Sequence, residues 1–225
     1  MRTLAITPAH NEESTVGDVV AGVRALGLPS LVVDDGSSDR TSLAARAVGA
    51  AVVTLPVNLG VGAALRAGFR FAVARGYKRV VQIDGDLQHP PEAIPDLLAV
   101  ADDGAELVVG SRFGLGYDAG SRRPAMRLLA ALVRRGTGVA IDDPTSGFKV
   151  VTEPLLSEFA RSYPAEYLGD TVEALLHAAA FGATIAQVDV PMNRRDGGSA
   201  TSTPRAAAHF GRVLLAIVAG KPGMR

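Results

Sequence analysis

Short apolar runs alternate with helical stretches along most of this chain. Residues 3–7, 31–33, 51–55, 80–83 and 106–109 are rich in β-branched and aliphatic side chains and read as strands. Between them, Val16, Val19, Val20, Val23 and Leu26 recur at helical spacing behind Ser14, which reads as an N-cap. Residues 62–75 and 91–101 supply two further helices, the second with Pro91 suited to a first helical turn. A helical segment opens around Arg122, Arg123 and Arg127, another follows over 172–180, and a late strand is expected over 184–190. Strand-helix-strand repetition of this kind predicts an α/β, Rossmann-like fold, a mostly parallel central sheet with helices on both faces.

In such sheets ligands bind beyond the carboxyl ends of the strands. The polar clusters of this chain fall there. The first strand runs into Pro8-Ala9-His10-Asn11-Glu12-Glu13, the second into Asp34-Asp35-Gly36-Ser37-Ser38-Asp39, and the fourth into Asp84-Gly85-Asp86-Leu87-Gln88. The third is followed by Asn58-Leu59-Gly60-Val61-Gly62, whose glycines suit a tight turn passing close to a ligand, or simple loop geometry. Asp84 and Asp86 carry the sharpest signal. Two carboxylates this close repel unless a cation or proton intervenes, and hard divalent ions share such oxygens with substrate phosphates. Taken alone, Asp-x-Asp is also an ordinary solvated turn.

Composition narrows the choice. The chain has 225 residues, 48% of them apolar and 20% charged, enough for one folded domain with a substantial core. Lys plus Arg equals Asp plus Glu at 23 each, so there is no basic field for nucleic acid, and any anion site must be local. Without cysteine there are no disulfides, thiolate metal sites or cysteine catalysis. No secretory signal pattern stands at Met1 to Pro8, and no run approaches the roughly 20 apolar residues of a membrane span. A cytoplasmic protein is expected.

Two common nucleotide sites are disfavoured. Gly-x-Gly-x-x-Gly is missing after the first strand, and Gly60-x-Gly62 meets Leu65 where a third glycine would stand. There is no phosphate-binding Gly-x-x-x-x-Gly-Lys-Ser/Thr either. An Asp-x-Asp phosphatase would need Thr or Val where Gln88 stands.

Together with the three acidic loops, Gly110-Ser111-Arg112-Phe113 and Asp143-Pro144-Thr145-Ser146-Gly147-Phe148-Lys149 complete five motifs in order. In these motifs the chain resembles family 2 glycosyltransferases of the GT-A fold, and within them the dolichyl- or polyprenyl-phosphate sugar synthases. The resemblance implies a nucleotide-diphosphate-sugar donor, bound by Pro8, Ala9, His10, Asn11, Glu12, Asp35, Gly36, Gly62, Asp84 and Gly85. It implies Mg²⁺ or Mn²⁺ held by Asp84, Asp86 and Gln88, and phosphate contacts from Arg112, Arg127 and one of Arg194 or Arg195. Asp86, Arg112 and Asp170 are the implied catalytic residues. His10 replaces the tyrosine usual in that family, and Ala130 a serine common in the lipid-phosphate members.

The expected reaction is inverting transfer of a sugar onto a polyprenyl phosphate, whose oxygen is already anionic near neutrality and needs no base. Transfer to a soluble hydroxyl acceptor, with Asp170 as base, is the alternative, and a non-catalytic nucleotide-sugar-binding subunit is another. Asp170 equally reads as the N-cap of the following helix. The catalytic domain is expected over 1–204. Phe210, Val213, Leu214, Ile217 and Val218 form one helical stripe beside Arg205, His209 and Arg212, so residues 205–225 read as an amphipathic helix. That helix would rest on the inner face of a membrane, on a membrane-protein partner, or against the core.

Overall fold

The computed structural model describes residues 1–113, 123–164 and 170–193. Their seven strands are β1 (Thr3–Ala9), β2 (Ser30–Asp34), β3 (Ala51–Thr54), β4 (Arg79–Gln82), β5 (Leu107–Ser111), β6 (Lys149–Thr152) and β7 (Ile185–Asp189). One sheet holds them in the order β3-β2-β1-β4-β6-β5-β7. All run parallel except β6, which pairs antiparallel with both β4 and β5.

Among the described residues seven helices cover the sheet: α1 (Val16–Ala25), α2 (Thr41–Ala47), α3 (Val61–Ala74), α4 (Ile94–Asp102), α5 (Arg123–Thr137), α6 (Leu155–Ser162) and α7 (Asp170–Phe181). A single 3₁₀ turn, Pro91–Ala93, leads into α4. The mostly parallel sheet with two covered faces agrees with the pattern read from the sequence. Because successive strand residues point to opposite faces, each buried strand feeds two cores. Leu4 and Ile6 join α3, α5, α6 and α7 on one side, while Ala5 joins α1 and α4 on the other. Leu31 and Val33 against Val32, and Leu107 and Val109 against Val108, divide in the same way. This is why the strands read as continuous apolar runs rather than as alternating ones.

Three elements differ from the sequence expectation. β6, α2 and α6 carried too short an apolar pattern to be read. Ser14 does not cap α1: the carbonyl of Glu12 accepts from the Thr15 and Val16 N–H groups instead, at 3.1 and 2.9 Å. A backbone acceptor thus does what the hydroxyl was expected to do.

α3 sits close on β1 because Gly68 has no side chain. A Cβ there would lie 2.7 Å from Ile6 Cγ2 and 3.4 Å from Val33 Cγ2. Gly68→Val should therefore overpack this contact and lose about 2–3 kcal/mol of stability in urea denaturation. An unchanged midpoint would show that α3 shifts freely.

Candidate active site

The exits of β1, β2 and β4 meet at one cleft of about 360 Å³. It is lined by Pro8, Ala9, His10 and Glu12 after β1, by Asp35 after β2, and by Asp84, Gly85 and Asp86 after β4. Asn58, Gly60, Val61 and Ala64 close it from the start of α3. Eight of the residues singled out in the sequence therefore share one concave surface. Asn58, Gly60 and Val61 belong to the turn read as passing close to a ligand or as loop geometry, without a site role, and Ala64, one helical turn after Gly60, was not singled out. Gly62 is buried in the first turn of α3, one step behind that lining.

Hydrogen bonds knit the first two loops together. The Asn11 N–H donates to Ser37 Oγ and the Ser38 N–H to Asn11 Oδ1, while the Glu12 N–H donates to Thr41 Oγ1. The Glu13 N–H donates to Asp39 Oδ2, and Glu13 accepts from the Arg40 N–H in return. Burial alone would raise the Asp39 carboxyl, but bonds from the Thr41 hydroxyl and from the Thr41 and Glu13 N–H groups outweigh it and hold it below the usual range. Asn11 adopts φ 58°, a left-handed conformation that Asn tolerates, and so turns the loop back on itself. Its side chain serves the scaffold.

The paired acids of the second loop divide the work. Asp34 accepts from the Ser37 N–H and the Ser42 hydroxyl, below the cleft floor. Asp35, only 4% exposed, accepts the Leu59 and Gly60 N–H groups through separate oxygens, both at 2.8 Å. It thereby fixes the turn that starts α3, whose amide dipoles point their positive end to the cleft. Gly36 next to it has φ 66°, and a Cβ there would stand 2.5 Å from the Val57 carbonyl carbon. His10 is exposed above this pair. Its Nδ1 donates to the Asp35 carbonyl at 2.9 Å, and its Nε2 accepts from Asn11 Nδ2 at 3.2 Å, which assigns the Nδ1–H tautomer.

In the third loop, Asp86 Oδ1 accepts the Gln88 N–H at 3.1 Å, closing a turn around Leu87. Leu87 has φ 60°, rare for a residue with a bulky side chain. Asn193 latches the same loop from β7's exit, donating its N–H to the Gln88 carbonyl and its side-chain amide to the Leu87 carbonyl, at 2.8 and 3.1 Å. His89 is buried and stacks on Phe148 with ring centroids 5.1 Å apart. Desolvation, with Arg112 nearby, lowers its pKa to about 4, so it is neutral near pH 7.

Of the four predicted arginines, Arg112 and Arg127 lie among the described residues. Arg112 grips the buried Asp143 through Nε and Nη2, with Nη2 also reaching Thr145 Oγ1 at 2.7 Å. Such a bidentate grip fixes the loop 143–147 to β5's exit. Arg112 does not line the cleft, and Arg127 lies on the exposed face of α5. Asp170 opens α7, its side chain lying outside the described residues, as do Arg194, Arg195 and the 205–225 stripe.

Asp84 and Asp86 suit a hard cation. They are two half-buried carboxylates, one residue apart, on a strand exit held by an Asp turn and by Asn193. Among the described residues no cluster of three or more His, Cys, Asp or Glu forms a ready-made metal cage. A pair of carboxylates leaves coordination positions for phosphate oxygens.

Residues 4–159 match Glycosyl transferase family 2, and the chain belongs to that family. Polyprenol monophosphomannose synthase of Mycolicibacterium smegmatis is 34% identical over 169 residues, 70% of this chain and 64% of the relative, so the chain spans less than two thirds of that protein. Dolichyl-phosphate hexose transferase of Haloferax volcanii is 29% identical over 212 residues, covering 92% of this chain and 90% of the relative. Among solved structures, glucosyl-3-phosphoglycerate synthase from Mycobacterium tuberculosis, in complex with Mn²⁺, uridine-diphosphate-glucose and phosphoglyceric acid, superimposes with a TM-score of 0.75 at 27% identity. That match covers 96% of this chain and 78% of the other, and the shared architecture is the GT-A fold of glycosyltransferases.

Replacing Asp35 with Ala removes the acceptor for two N–H groups, one of them buried. The variant should lose about 2–3 kcal/mol in chemical denaturation, beyond any effect on ligand binding. Unaltered stability would mean the α3 turn stands without it.

Proposed function

We propose that this chain is an inverting glycosyltransferase that moves a sugar from a nucleotide-diphosphate donor to a polyprenyl phosphate. The observation that carries the reading is the convergence of Glu12, Asp35, Asp84 and Asp86 on one cleft at the strand exits. A diphosphate brought beside so many carboxylates needs a cation between them. In this reading Pro8, Ala9, His10, Glu12 and Asp35 hold the nucleoside, and Asp84, Asp86 and Gln88 hold Mg²⁺ or Mn²⁺. The metal would neutralise charge on the departing diphosphate. The positive end of α3 adds to that field.

Inversion follows from a single displacement. An acceptor phosphate oxygen forms its bond to the anomeric carbon as the bond to the donor diphosphate breaks on the opposite face. The relatives support both halves of the reading: two are named for polyprenol or dolichyl-phosphate sugar transfer, and the structural relative holds Mn²⁺ with a uridine-diphosphate sugar. Phosphate contacts from Arg112, Arg127 and Arg194 or Arg195 belong to this proposal. Arg112 would act from its Asp143-pinned position. So does an organisation in which residues 1–204 form the catalytic domain and 205–225 a basic amphipathic helix. That helix would bring the enzyme to the cytoplasmic leaflet or to a membrane partner. No described helix is long and apolar enough to cross a bilayer.

The structural relative favours a second reading. Its acceptor-side ligand is phosphoglyceric acid, a small soluble compound. A hydroxyl acceptor must lose a proton, and Asp170 would take it.

Thermal shift with UDP-, GDP- and dTDP-sugars, each with and without Mn²⁺, should give a metal-dependent rise for one donor, abolished by chelation. Asp86→Ala should lose that rise and all transfer, and full transfer by this variant would refute the metal role. Asp170→Asn separates the acceptors. It should lower kcat only a few-fold with a polyprenyl phosphate, and roughly 10²–10⁴-fold if a hydroxyl is the true acceptor.

A further inference from the structure

The loop 143–148 approaches the Asp84 carboxylate at a glycine. A Cβ built on Gly147 would meet Asp84 before anything else, with Asp84 Cγ and Oδ1 both 2.7 Å away and Oδ2 nearer still. All three of the nearest atoms belong to that one side chain. Gly147 does not adopt a left-handed backbone, so conformation does not demand glycine here. Space does. The carboxylate of Asp84 fills the volume that any other residue's side chain would take.

The wall behind Asp84 is rigid. Asp143, at the start of the loop, is fully buried in the grip of Arg112. The Ser146 N–H donates to the Asp143 carbonyl and the Phe148 N–H to Ser146 Oγ, at 3.3 and 3.2 Å. Phe148 is buried beneath His89, which belongs to Asp84's own loop, and its carbonyl accepts the Gly110 N–H at 2.9 Å. The Asp142 N–H donates to Gln187 on β7 at 2.7 Å. Anchored to β5, β7 and the His89 ring, the loop cannot retreat as a side chain would.

We propose that Gly147 is a positioning residue: its bare backbone seats the Asp84 carboxylate and so sets the affinity of the donor site for its divalent cation. The second half of this statement rests on the metal role proposed above, while the first half stands on packing alone. A methyl group at 147 pushes the carboxylate off its seat, or strains the loop, without removing any acid from the cleft.

The experiment is a double-mutant cycle in the whole chain, comparing the unmodified protein, Gly147→Ala, Asp84→Ala and the double variant. Ligand-free melting temperature reads the seat. Gly147→Ala should lower Tm by at least about 3 °C when Asp84 is present, and by almost nothing when residue 84 is Ala, because the atoms the methyl meets are then gone. Equal Tm losses in both backgrounds, or none in either, would overturn the proposal. Should Gly147→Ala fail to fold, the double variant must recover, and its failure to do so would assign the glycine to the backbone instead.

Mn²⁺ titration of the UDP-induced thermal shift reads the consequence. Gly147→Ala and Asp84→Ala should each weaken Mn²⁺ at least tenfold, and the double variant no more than Asp84→Ala alone. Multiplying losses would show that the two residues act independently and overturn the coupling. If Asp84→Ala leaves the Mn²⁺ response intact, the metal role fails, and the Tm cycle still decides whether Gly147 seats Asp84.

Discussion

The crowding of negative charge at one edge of the sheet governs this structure. β1, β2 and β4 all deliver acidic loops to the same edge, and β5 and β6 bring Asp143 there as well. Like charges gathered in a partly dry space are tolerated only when each is compensated. The chain compensates most of them internally. Asp34 and Asp39 are spent on hydroxyls and backbone amides, Asp35 on two amides, and Asp143 on a guanidinium. Glu12, Asp35, Asp84 and Asp86 line the cleft itself. The carboxylates thus divide into braces behind the cleft, Asp34, Asp39 and Asp143, and those on its wall, with Asp35 serving as both.

One reversed strand makes that sorting possible. Because β6 runs against its neighbours, its first residue, Lys149, lies beside Gln82 at the exit of β4. The segment before β6 thus arrives at the edge where every parallel strand leaves. An all-parallel sheet would have put it at the far end, away from Asp84. The antiparallel insertion brings Asp143, Gly147 and Phe148 to the carboxylate loop, and Asn193 closes the same loop from the other side.

Much of this was legible in the sequence because it depends on local patterns. Buried parallel strands are apolar throughout, so β1, β2, β4 and β5 stood out, and the ligand edge of an α/β sheet follows from strand direction. β6 escaped notice because it is four residues long and begins with a lysine after a turn-rich stretch. α2, with the sequence TSLAARA, has small residues where an apolar stripe would show. The division of labour among the acids was also hidden. Nothing in Asp34-Asp35 distinguishes the residue held by Ser37 and Ser42 from the one held by Leu59 and Gly60. The Arg112–Asp143 pair joins residues 31 apart in sequence, so each read as an isolated motif member. Long-range pairing decides such roles, and a single sequence does not display it.

His10 carries a consequence of its own. Its backbone continues directly from β1, and its ring is tied to the Asp35 main-chain carbonyl and to the neighbouring Asn11 side-chain amide. The Asp35 carboxylate, by contrast, bonds the Leu59 and Gly60 N–H groups without the ring. A different ring at position 10 would therefore leave in place the two amide bonds through which Asp35 starts α3.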